Sequence, residues 1–176
     1  MEIVERKYNL WSFLLCLLVT VLSLQTLYAS YNHSWSVAPP ASVLLLLTFT
    51  TCFMGISGFR DKSNRGARWR SWMTVLIAFP LSAIFLLGIV VNTFAREPIA
   101  TTQSPDSKTT INFYTLNGGA ATSISVVGIV DGPLWFKKNI YYDDNMHKAD
   151  VAWTNNGIIT INNHTLNLDK GETFSD

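Results

Sequence analysis

The sequence RDKSNRGARWR, residues 60–70, is a short basic segment between two long stretches that lack charged side chains. Its basic residues are Arg60, Lys62, Arg65, Arg68 and Arg70. Asp61 is its one acidic residue. No Asp, Glu, Lys or Arg occurs in residues 8–59 before it or in residues 71–95 after it. This pattern predicts membrane-spanning helices on either side of a basic loop.

Three apolar segments have the length of a membrane span, at about residues 10–29, 41–59 and 72–95. A helix rises about 1.5 Å per residue, so about 20 residues cross the roughly 30 Å of hydrocarbon in a bilayer. We therefore expect residues 1–95 to form a three-helix membrane anchor with a loop at 60–71. In the second segment, Gly55, Ser57 and Gly58 are small enough to let helices approach closely.

The first apolar segment also has features of a secretory signal peptide, with basic residues before it and a possible cleavage point after Ala29. Signal peptides have an apolar region of about 7–15 residues, whereas this one is about 18 residues long. Only one small residue precedes the possible cleavage point, where two are favoured. We therefore expect an uncleaved span.

The distribution of positive charge predicts the orientation of the spans. Lys and Arg accumulate in cytoplasmic loops, and the segment 60–70 holds five of them while the linker 30–40 holds none. This places the basic loop and the N-terminus in the cytoplasm and residues 96–176 outside. We expect a multi-pass cell-membrane protein.

Charge also argues against two classes of function. Residues 59–95 carry a net charge of +4, but residues 96–176 carry −3, so the tail lacks the clustered basic face that nucleic-acid binding requires. None of the three spans contains Asp, Glu, Lys, Arg or His. Pumps and proton-coupled carriers keep such groups within the membrane, so the spans are not expected to transport by themselves.

The tail has the pattern of short β-strands separated by turns. Alternating and β-branched segments predict about six strands, at Thr109–Leu116, Thr122–Val130, Lys137–Tyr142, Ala149–Trp153, Ile158–Asn162 and Thr165–Leu168. Regular turn spacing favours an antiparallel β-meander, with a β-bulge at Gly128. Before and after the strands, Ile99–Lys108 reads as a polar turn region and Asp169–Asp176 as a frayed end.

The strand pattern also predicts which side chains form the core of the β domain. Apolar residues at alternate positions of each strand should share one face. They are Ile111, Phe113, Ile124, Val126, Ile140, Tyr142, Val151, Trp153, Ile159, Ile161, Leu166 and Leu168. The predicted fold is therefore three transmembrane helices followed by a small, all-β extracytoplasmic domain over residues 96–176.

The tail contains a set of short sequence markers between Ser104 and Leu168. They are Ser104-Pro105-Asp106, Gly118-Gly119-Ala120, Ile140-Tyr141, Trp153 and Ile161-Asn162. Through these markers the tail resembles an uncharacterised domain-of-unknown-function family of membrane proteins from low-GC Gram-positive bacteria. Where the family has an aromatic residue followed by Asp and Arg, this chain has Phe174 followed by Ser175 and Asp176. The resemblance implies an extracytoplasmic β domain and no activity.

A search for chemistry gives only weak candidates in the tail. Asp143, Asp144 and His147 lie close together in sequence, but they lack calcium-loop or zinc-ligand spacing. No nucleophile elbow, phosphate loop or dinucleotide fingerprint occurs. Cys16 and Cys52 lie in apolar segments and are expected to act as small apolar residues. We expect no metal and no cofactor, and catalysis is not indicated.

The sequence therefore favours a membrane-anchored binding protein whose outer β domain contacts a protein of the membrane or envelope. One alternative is an accessory subunit of a transporter or export complex, or an immunity factor, that acts through its spans. A second alternative is an extracytoplasmic hydrolase or ligand sensor that uses Asp143, Asp144 and His147.

Overall fold

A computed structural model describes residues 2–60, 65–117 and 123–176 of the chain. The chain divides into two compact units. One unit comprises Met1–Gln25 and Ala38–Val90, and the other comprises Thr26–Val37 and Val91–Asp176. The first is helical, and the second contains the β-sheets together with the connection between the first two helices.

Three helices are long and apolar enough to cross a membrane: α1 (Glu2–Tyr31), α2 (Ala41–Gly58) and α3 (Arg65–Ala95). Large apolar side chains cover much of their outer surfaces, as with Phe53 and Phe79, which are 70% and 67% exposed. Side chains of this kind suit a hydrocarbon surrounding better than water. The predicted three-helix part of the fold is confirmed.

α3 begins earlier than the sequence suggested. Its first residue is Arg65, so Arg65, Arg68 and Arg70 lie in the first turns of the helix and not in a loop. Arg60 remains in the connection after α2, and Lys62 lies outside the described residues. Arginine is a good helix former, so a basic segment can continue a helix beyond its apolar part.

Small and polar side chains form the seam where the helices meet. Their spacing alternates between three and four residues in α1 and α2 and is four, three, four and four in α3, close to the repeat of left-handed helix packing. Besides Ala29 near the end of α1, the buried residues are Asn9, Ser12, Cys16, Val19 and Ser23 in α1; Leu44, Thr48, Thr51, Gly55 and Gly58 in α2; and Ala67, Ser71, Thr74, Ala78 and Ser82 in α3.

Two of the three small residues expected to pack α2 do lie in this seam. A Cβ atom on Gly55 would lie 2.8 Å from a side-chain carbon of Thr74, and one on Gly58 would lie 2.6 Å from Oγ of Ser71. Ser57 is exposed, so its expected packing role is wrong. It falls outside the three-and-four repeat that passes through Gly55 and Gly58.

A polar cluster at one end of the seam joins α1 to α3. Nδ2 of Asn9 donates hydrogen bonds to the Ala67 carbonyl at 2.8 Å and to Oγ of Ser71 at 2.6 Å. Nε of Arg70 donates to Oδ1 of Asn9 at 2.8 Å. Asn9 is fully buried, and these bonds satisfy both ends of its amide.

The β domain consists of two sheets. The strands are β1 (Arg96–Gln103), β2 (Thr110–Asn117), β3 (Ile124–Asp131), β4 (Lys137–Asp144), β5 (Val151–Trp153), β6 (Ile158–Ile161), β7 (His164–Asn167) and β8 (Phe174–Ser175). One sheet has the order β1-β2-β3-β4-β8 and the other β5-β6-β7. The neighbours are antiparallel except β4 and β8, which are parallel.

Two strands lie where the sequence predicted none. β1 occupies residues that were expected to be a polar turn region, and it pairs with β2 despite Pro98 and an irregularity between Pro98 and Ala100. Proline is tolerated there because β1 is an edge strand. β8 occupies the segment that was expected to be frayed, and it pairs with Tyr141 and Tyr142 of β4.

The expected bulge at Gly128 is present and changes the face to which β4 side chains point. Gly128 pairs with Tyr141 and Ile129 pairs with Asn139, so Ile140 is the extra residue. Ile140 and Tyr141 are consequently both buried, although they are adjacent. The prediction of Tyr142 as a core residue is wrong, because the bulge puts Tyr141 in its place.

The core lies between the two sheets. It contains Ile111, Phe113, Val126, Val130, Ile140, Tyr141, Ile159, Ile161 and Leu166. Val151, Trp153 and Leu168 pack against it while partly exposed. Ile124, also predicted as core, is half-buried and lies outside this cluster. The remaining predicted core positions agree with the structure. The predicted turn at Asn117–Gly119 lies partly outside the described residues.

The connection between α1 and α2 is bound to the β domain. Ser36 forms an antiparallel bridge with Lys137 at the start of β4, with backbone N···O distances of 2.8 and 3.3 Å. Nε1 of Trp135 donates to the Val37 carbonyl at 3.0 Å. The ring of Trp35 covers Gly132, where an added Cβ would come within 2.5 Å of it.

Candidate functional site

The two adjacent aspartates of β4 point to opposite faces of the sheet. Asp143 shares the face of Tyr141, whose hydroxyl donates to Oδ2 of Asp143 at 2.5 Å. Asp144 shares the other face with Tyr142, whose hydroxyl donates to Oδ1 of Asp144 at 2.9 Å. Side chains alternate along a strand, so sequence proximity does not make these carboxylates a catalytic pair.

Asp143 belongs to a buried cluster that ties three segments together. It is 7% exposed, and Tyr141 beside it is fully buried. Nδ2 of Asn162 donates to the Tyr141 hydroxyl at 3.1 Å and to the Lys148 carbonyl at 3.3 Å. Oδ1 of Asn162 accepts from the Asp150 amide at 2.9 Å. The arrangement holds the loop before β5 against β4, which is a structural role.

The surroundings of Tyr141 make its hydroxyl hard to ionise. Burial away from water, and after it the hydrogen bond to Asp143, raise the pKa of Tyr141 from its ordinary value of 10.0 to about 12. A tyrosine in this state keeps its proton at neutral pH. It acts as a hydrogen-bond donor and not as a general base.

Asp144 is held by hydroxyl groups on the opposite face. Oγ of Ser125 donates to Oδ1 of Asp144 at 2.5 Å. This bond, together with the one from Tyr142, lowers the pKa of Asp144. Ser125, Tyr142 and Asp144 do not reproduce a nucleophile–base–orienter chain, because the carboxylate accepts directly from both hydroxyls and no imidazole lies between them.

His147 lies in an exposed position after β4. It lines a shallow cavity of about 470 Å³ with Met146, Lys148, Asp150, Asn162 and Asn163. Across residues 2–60, 65–117 and 123–176, no group of three or more His, Cys, Asp or Glu side chains is placed to hold a metal ion. Because Asp143 and Asp144 lie on opposite faces of β4, the three sequence candidates do not all share one face of the sheet.

The described part of the β domain contains a groove that the sequence did not indicate. Its volume is about 940 Å³, near the upper end of the range for ligand sites. Trp35 from the linker, Ile140 and Val130 from the sheet and Leu168 after β7 supply its apolar surface. Its charged residues are Lys108, Lys138, Lys170, Asp131, Asp169 and Glu172. We call this feature the groove.

The groove has as many basic as acidic side chains, and some of them form hydrogen bonds within the chain. Nζ of Lys138 donates to the Gly171 carbonyl at 3.1 Å. Oδ2 of Asp131 accepts from Nδ2 of Asn112 at 2.6 Å, and Oε2 of Glu172 accepts from the Asn167 amide at 2.8 Å. Three basic and three acidic side chains line one cavity, a composition suited to an occupant with charges of both signs.

No sequence spacing could have revealed the groove. Its lining comes from the α1–α2 linker, the loop between β1 and β2, the start of β4 and the loop between β7 and β8. These segments meet only because Ser36 pairs with Lys137 and because β8 returns to the edge of β4. The local signal closest to the groove is Trp35, a large aromatic residue in the α1–α2 linker.

The model of a family described as a family of unknown function, DUF5412, matches residues 70–175, which is more than half of the chain. The chain belongs to DUF5412. The expected membership in a family of unknown function is confirmed by this match.

The DUF5412 region begins at Arg70 within α3 and includes all eight strands. It contains the hydrogen-bonded clusters around Asp143 and Asp144 and most of the groove, whereas Trp35 lies before it. No curated protein and no solved structure matched the chain. The DUF5412 match carries no activity, so functional inference rests on the geometry described above.

Proposed function

We propose that this DUF5412 protein is an integral protein of a bacterial cell membrane that presents its β domain outside the cell and acts by binding a protein of the membrane or envelope. The observation that carries the binding function is the groove, with its balanced charges and its apolar surface around Trp35. An extended polypeptide offers charges of both signs and apolar side chains, and it matches such a surface better than a uniformly charged molecule does.

The two connections between the helices support the proposed topology. The α1–α2 linker is part of the same unit as the β domain, and Arg60 and Arg65 flank the other connection, between α2 and α3. Basic residues favour the cytoplasmic side. The N-terminus and the α2–α3 connection are then cytoplasmic, and the linker and the β domain are outside.

Protease accessibility tests this topology. Protease added to intact cells should remove the β domain, and a reporter fused after Asp176 should be active only outside the cytoplasm. A protected β domain together with a reporter active only in the cytoplasm would overturn the proposed orientation.

Site-specific crosslinking tests the binding function. A photoreactive amino acid at Lys170, which is exposed at the groove, should give a defined protein adduct in cells that survives detergent purification. The same group at Thr165, which is exposed on β7, serves as the matched control and should give none. Two results together would contradict the proposal: repeated isolation of the wild-type chain as a lone monomer, and the absence of adducts from both photoreactive variants.

A second candidate function is an accessory subunit of a transporter or export complex, or an immunity factor. It is favoured by an apolar cavity of about 350 Å³ on α3, lined by Trp72, Val75, Leu76, Phe79 and Pro80. A neighbouring transmembrane helix could pack there. A chain that ends after Ala95 should retain function under this hypothesis and lose it under the first.

The hydrolase or sensor alternative has less support, because Asp143 and Asp144 lie on opposite faces of β4 and each is held by a tyrosine hydroxyl. Replacement of all three by alanine provides the test, provided that the folded variant reaches the membrane. Full rescue of a deletion strain by that variant would eliminate a catalytic role for these residues.

A further inference from the structure

The connection between β3 and β4 presents apolar side chains to the exterior. Leu134 is 82% exposed and Trp135 is 43% exposed, and Pro133 before them is also exposed. The Phe136 amide donates to the Pro133 carbonyl at 3.2 Å, and the Gly132 amide donates to the Phe136 carbonyl at 2.8 Å. These bonds close a tight turn whose tip is Leu134 and Trp135, which we call the hairpin tip.

The backbone of Leu134 is strained. Its φ is 61°, in the left-handed region that non-glycine residues rarely occupy. Positive φ at the first central residue of a turn, without positive φ at the second, follows the type II′ pattern, in which glycine is the usual residue. A leucine at this position gains almost no burial within the chain to offset the strain. Strain of this kind is typical of residues that act on a partner.

The position of the hairpin tip indicates the partner. Trp135 donates to the Val37 carbonyl, and Val37 precedes the first residue of α2 by four positions. Four residues of chain reach at most about 14 Å. Tyr31, the last residue of α1, is 85% exposed and belongs to the same unit as the hairpin tip. The hairpin tip is thus bonded to the short segment that connects two helices able to span a membrane.

We infer that the hairpin tip docks into the lipid interface of the membrane that α1–α3 span, with Leu134 in the outer part of the hydrocarbon and Trp135 at the level of the headgroups. This inference rests on the proposed membrane anchoring. Tryptophan is enriched at this level of the bilayer because its ring is apolar and its N–H group is polar. A convex tip with one leucine and one tryptophan suits a lipid surface, whereas a protein partner needs a larger complementary face.

Nitroxide labels on the full-length chain in phosphatidylcholine vesicles test this inference. In a Cys16→Ala, Cys52→Ala background, single cysteines replace Leu134, Phe53 or Thr165. Accessibility to oxygen is compared with accessibility to a water-soluble nickel chelate. The label at 134 should shift toward the oxygen-rich value of the label at Phe53 in α2, and the label at Thr165 should give the value of an aqueous site.

Failure of docking and failure of anchoring give different results. If the label at Phe53 is in hydrocarbon while the label at 134 matches the one at Thr165, docking is overturned and anchoring stands. If the label at Phe53 is itself accessible to the nickel chelate, both proposals fail.

Quenching by brominated phosphatidylcholine provides a measurement without an apolar label. The tryptophan fluorescence that the brominated lipid removes should be smaller in Trp135→Phe than in the wild type. In Trp153→Phe it should equal the wild-type amount. Trp153 is a suitable control because it is half-buried in the β domain and its Nε1 donates to Oγ1 of Thr102 at 2.8 Å. An unchanged quenched intensity in Trp135→Phe would overturn the inference.

Discussion

The imidazole ring of His164 stacks on the phenyl ring of Phe174, with their centroids 3.7 Å apart and their planes inclined by 23°. Tyr141 stacks on the same phenyl ring at 5.4 Å. Phe174 therefore joins β7 to β4 and fixes β8 at the sheet edge. A segment that looked frayed in the sequence is held by aromatic contacts between residues distant in the chain.

Replacement of Phe174 by alanine should destabilise the β domain. The ring is partly buried, so we expect a loss of about 2 kcal/mol, below the roughly 3–5 kcal/mol typical of a fully buried phenylalanine. Denaturant unfolding of the detergent-solubilised chain, followed by near-ultraviolet circular dichroism, measures the change. Phe174→Tyr keeps the stacked ring and is the control. Equal stability of the alanine variant and the wild type would show that β8 contributes nothing to the fold.

The β domain should lose stability between pH 10 and pH 12. The pKa of Tyr141 is raised to about 12 from an ordinary value of 10.0, so in this window the unfolded chain releases the proton while the folded chain retains it. Unfolding is then favoured as pH rises, and the contribution is fully present only below pH 10. In Tyr141→Phe the additional decline across this window should disappear. The measurement is the free energy of unfolding at several pH values, and an unchanged slope would contradict the assigned cause.

A side chain at Gly128 should disturb the bulge between β3 and β4. A Cβ atom there would lie 2.8 Å from Cε1 of Phe113 and 3.1 Å from Cβ of Tyr141, both fully buried. We expect Gly128→Ala to lower the free energy of unfolding by about 1–3 kcal/mol, the usual cost of overpacking a core. Gly88→Ala is a suitable control because an added Cβ would meet nothing within 4 Å. A neutral Gly128→Ala would mean that the core can expand around the bulge.

Two adjacent residues of α2, Gly58 in the seam and Ser57 outside it, should respond differently to replacement by leucine. Gly58→Leu should weaken packing of the helices, because its side chain would enter the space of Ser71 and Asn9, whose Oγ and Nδ2 atoms form a 2.6 Å hydrogen bond. Overpacking of this kind costs about 1–3 kcal/mol. Ser57→Leu points outward and should leave stability unchanged. Thermal aggregation in detergent measures the stability of both variants. A similar loss of stability in both would contradict the packing of Gly58 in the helix seam.

Relief of strain at the hairpin tip should stabilise the isolated, detergent-solubilised chain. A residue with a side chain loses about 1–2 kcal/mol in a left-handed conformation, and Leu134→Gly removes this cost. The greater conformational freedom of glycine in the unfolded chain offsets about 0.5–1 kcal/mol of that gain. A net gain of about 0.5–1 kcal/mol should therefore appear in denaturant unfolding. Trp135→Gly, at a residue with negative φ, should destabilise instead. A loss of stability in Leu134→Gly would argue against strain at this position.

The sequence predicted the features that depend on local pattern. The three helices follow from apolar segments of spanning length, and most strands follow from alternating or β-branched runs bounded by turns. The start of α3 was less predictable. Arg65 and Arg68 lie in its first turns because helix propensity continues beyond the apolar segment.

The missed features depend on distant contacts. Because Ile140 is an extra residue in β4, Tyr141 lies in the core where Tyr142 was expected. The sequence suggested the bulge at Gly128, but it did not show which residue of β4 would be the extra one. β8 has only two residues and exists because β4 offers it an edge. The groove combines segments from the linker to Glu172, so no single stretch of sequence contained its pattern.

The parallel pairing of β4 with β8 has a consequence for how the protein is made. A ribosome adds Tyr141 to the nascent chain well before Phe174, so the part of the β4 edge at Tyr141 and Tyr142 that β8 covers remains unpaired during synthesis. A bare edge offers unpaired amide and carbonyl groups to any neighbouring strand. Chaperones or a second nascent copy would meet this unpaired edge in that interval, and the arrival of the phenylalanine closes it.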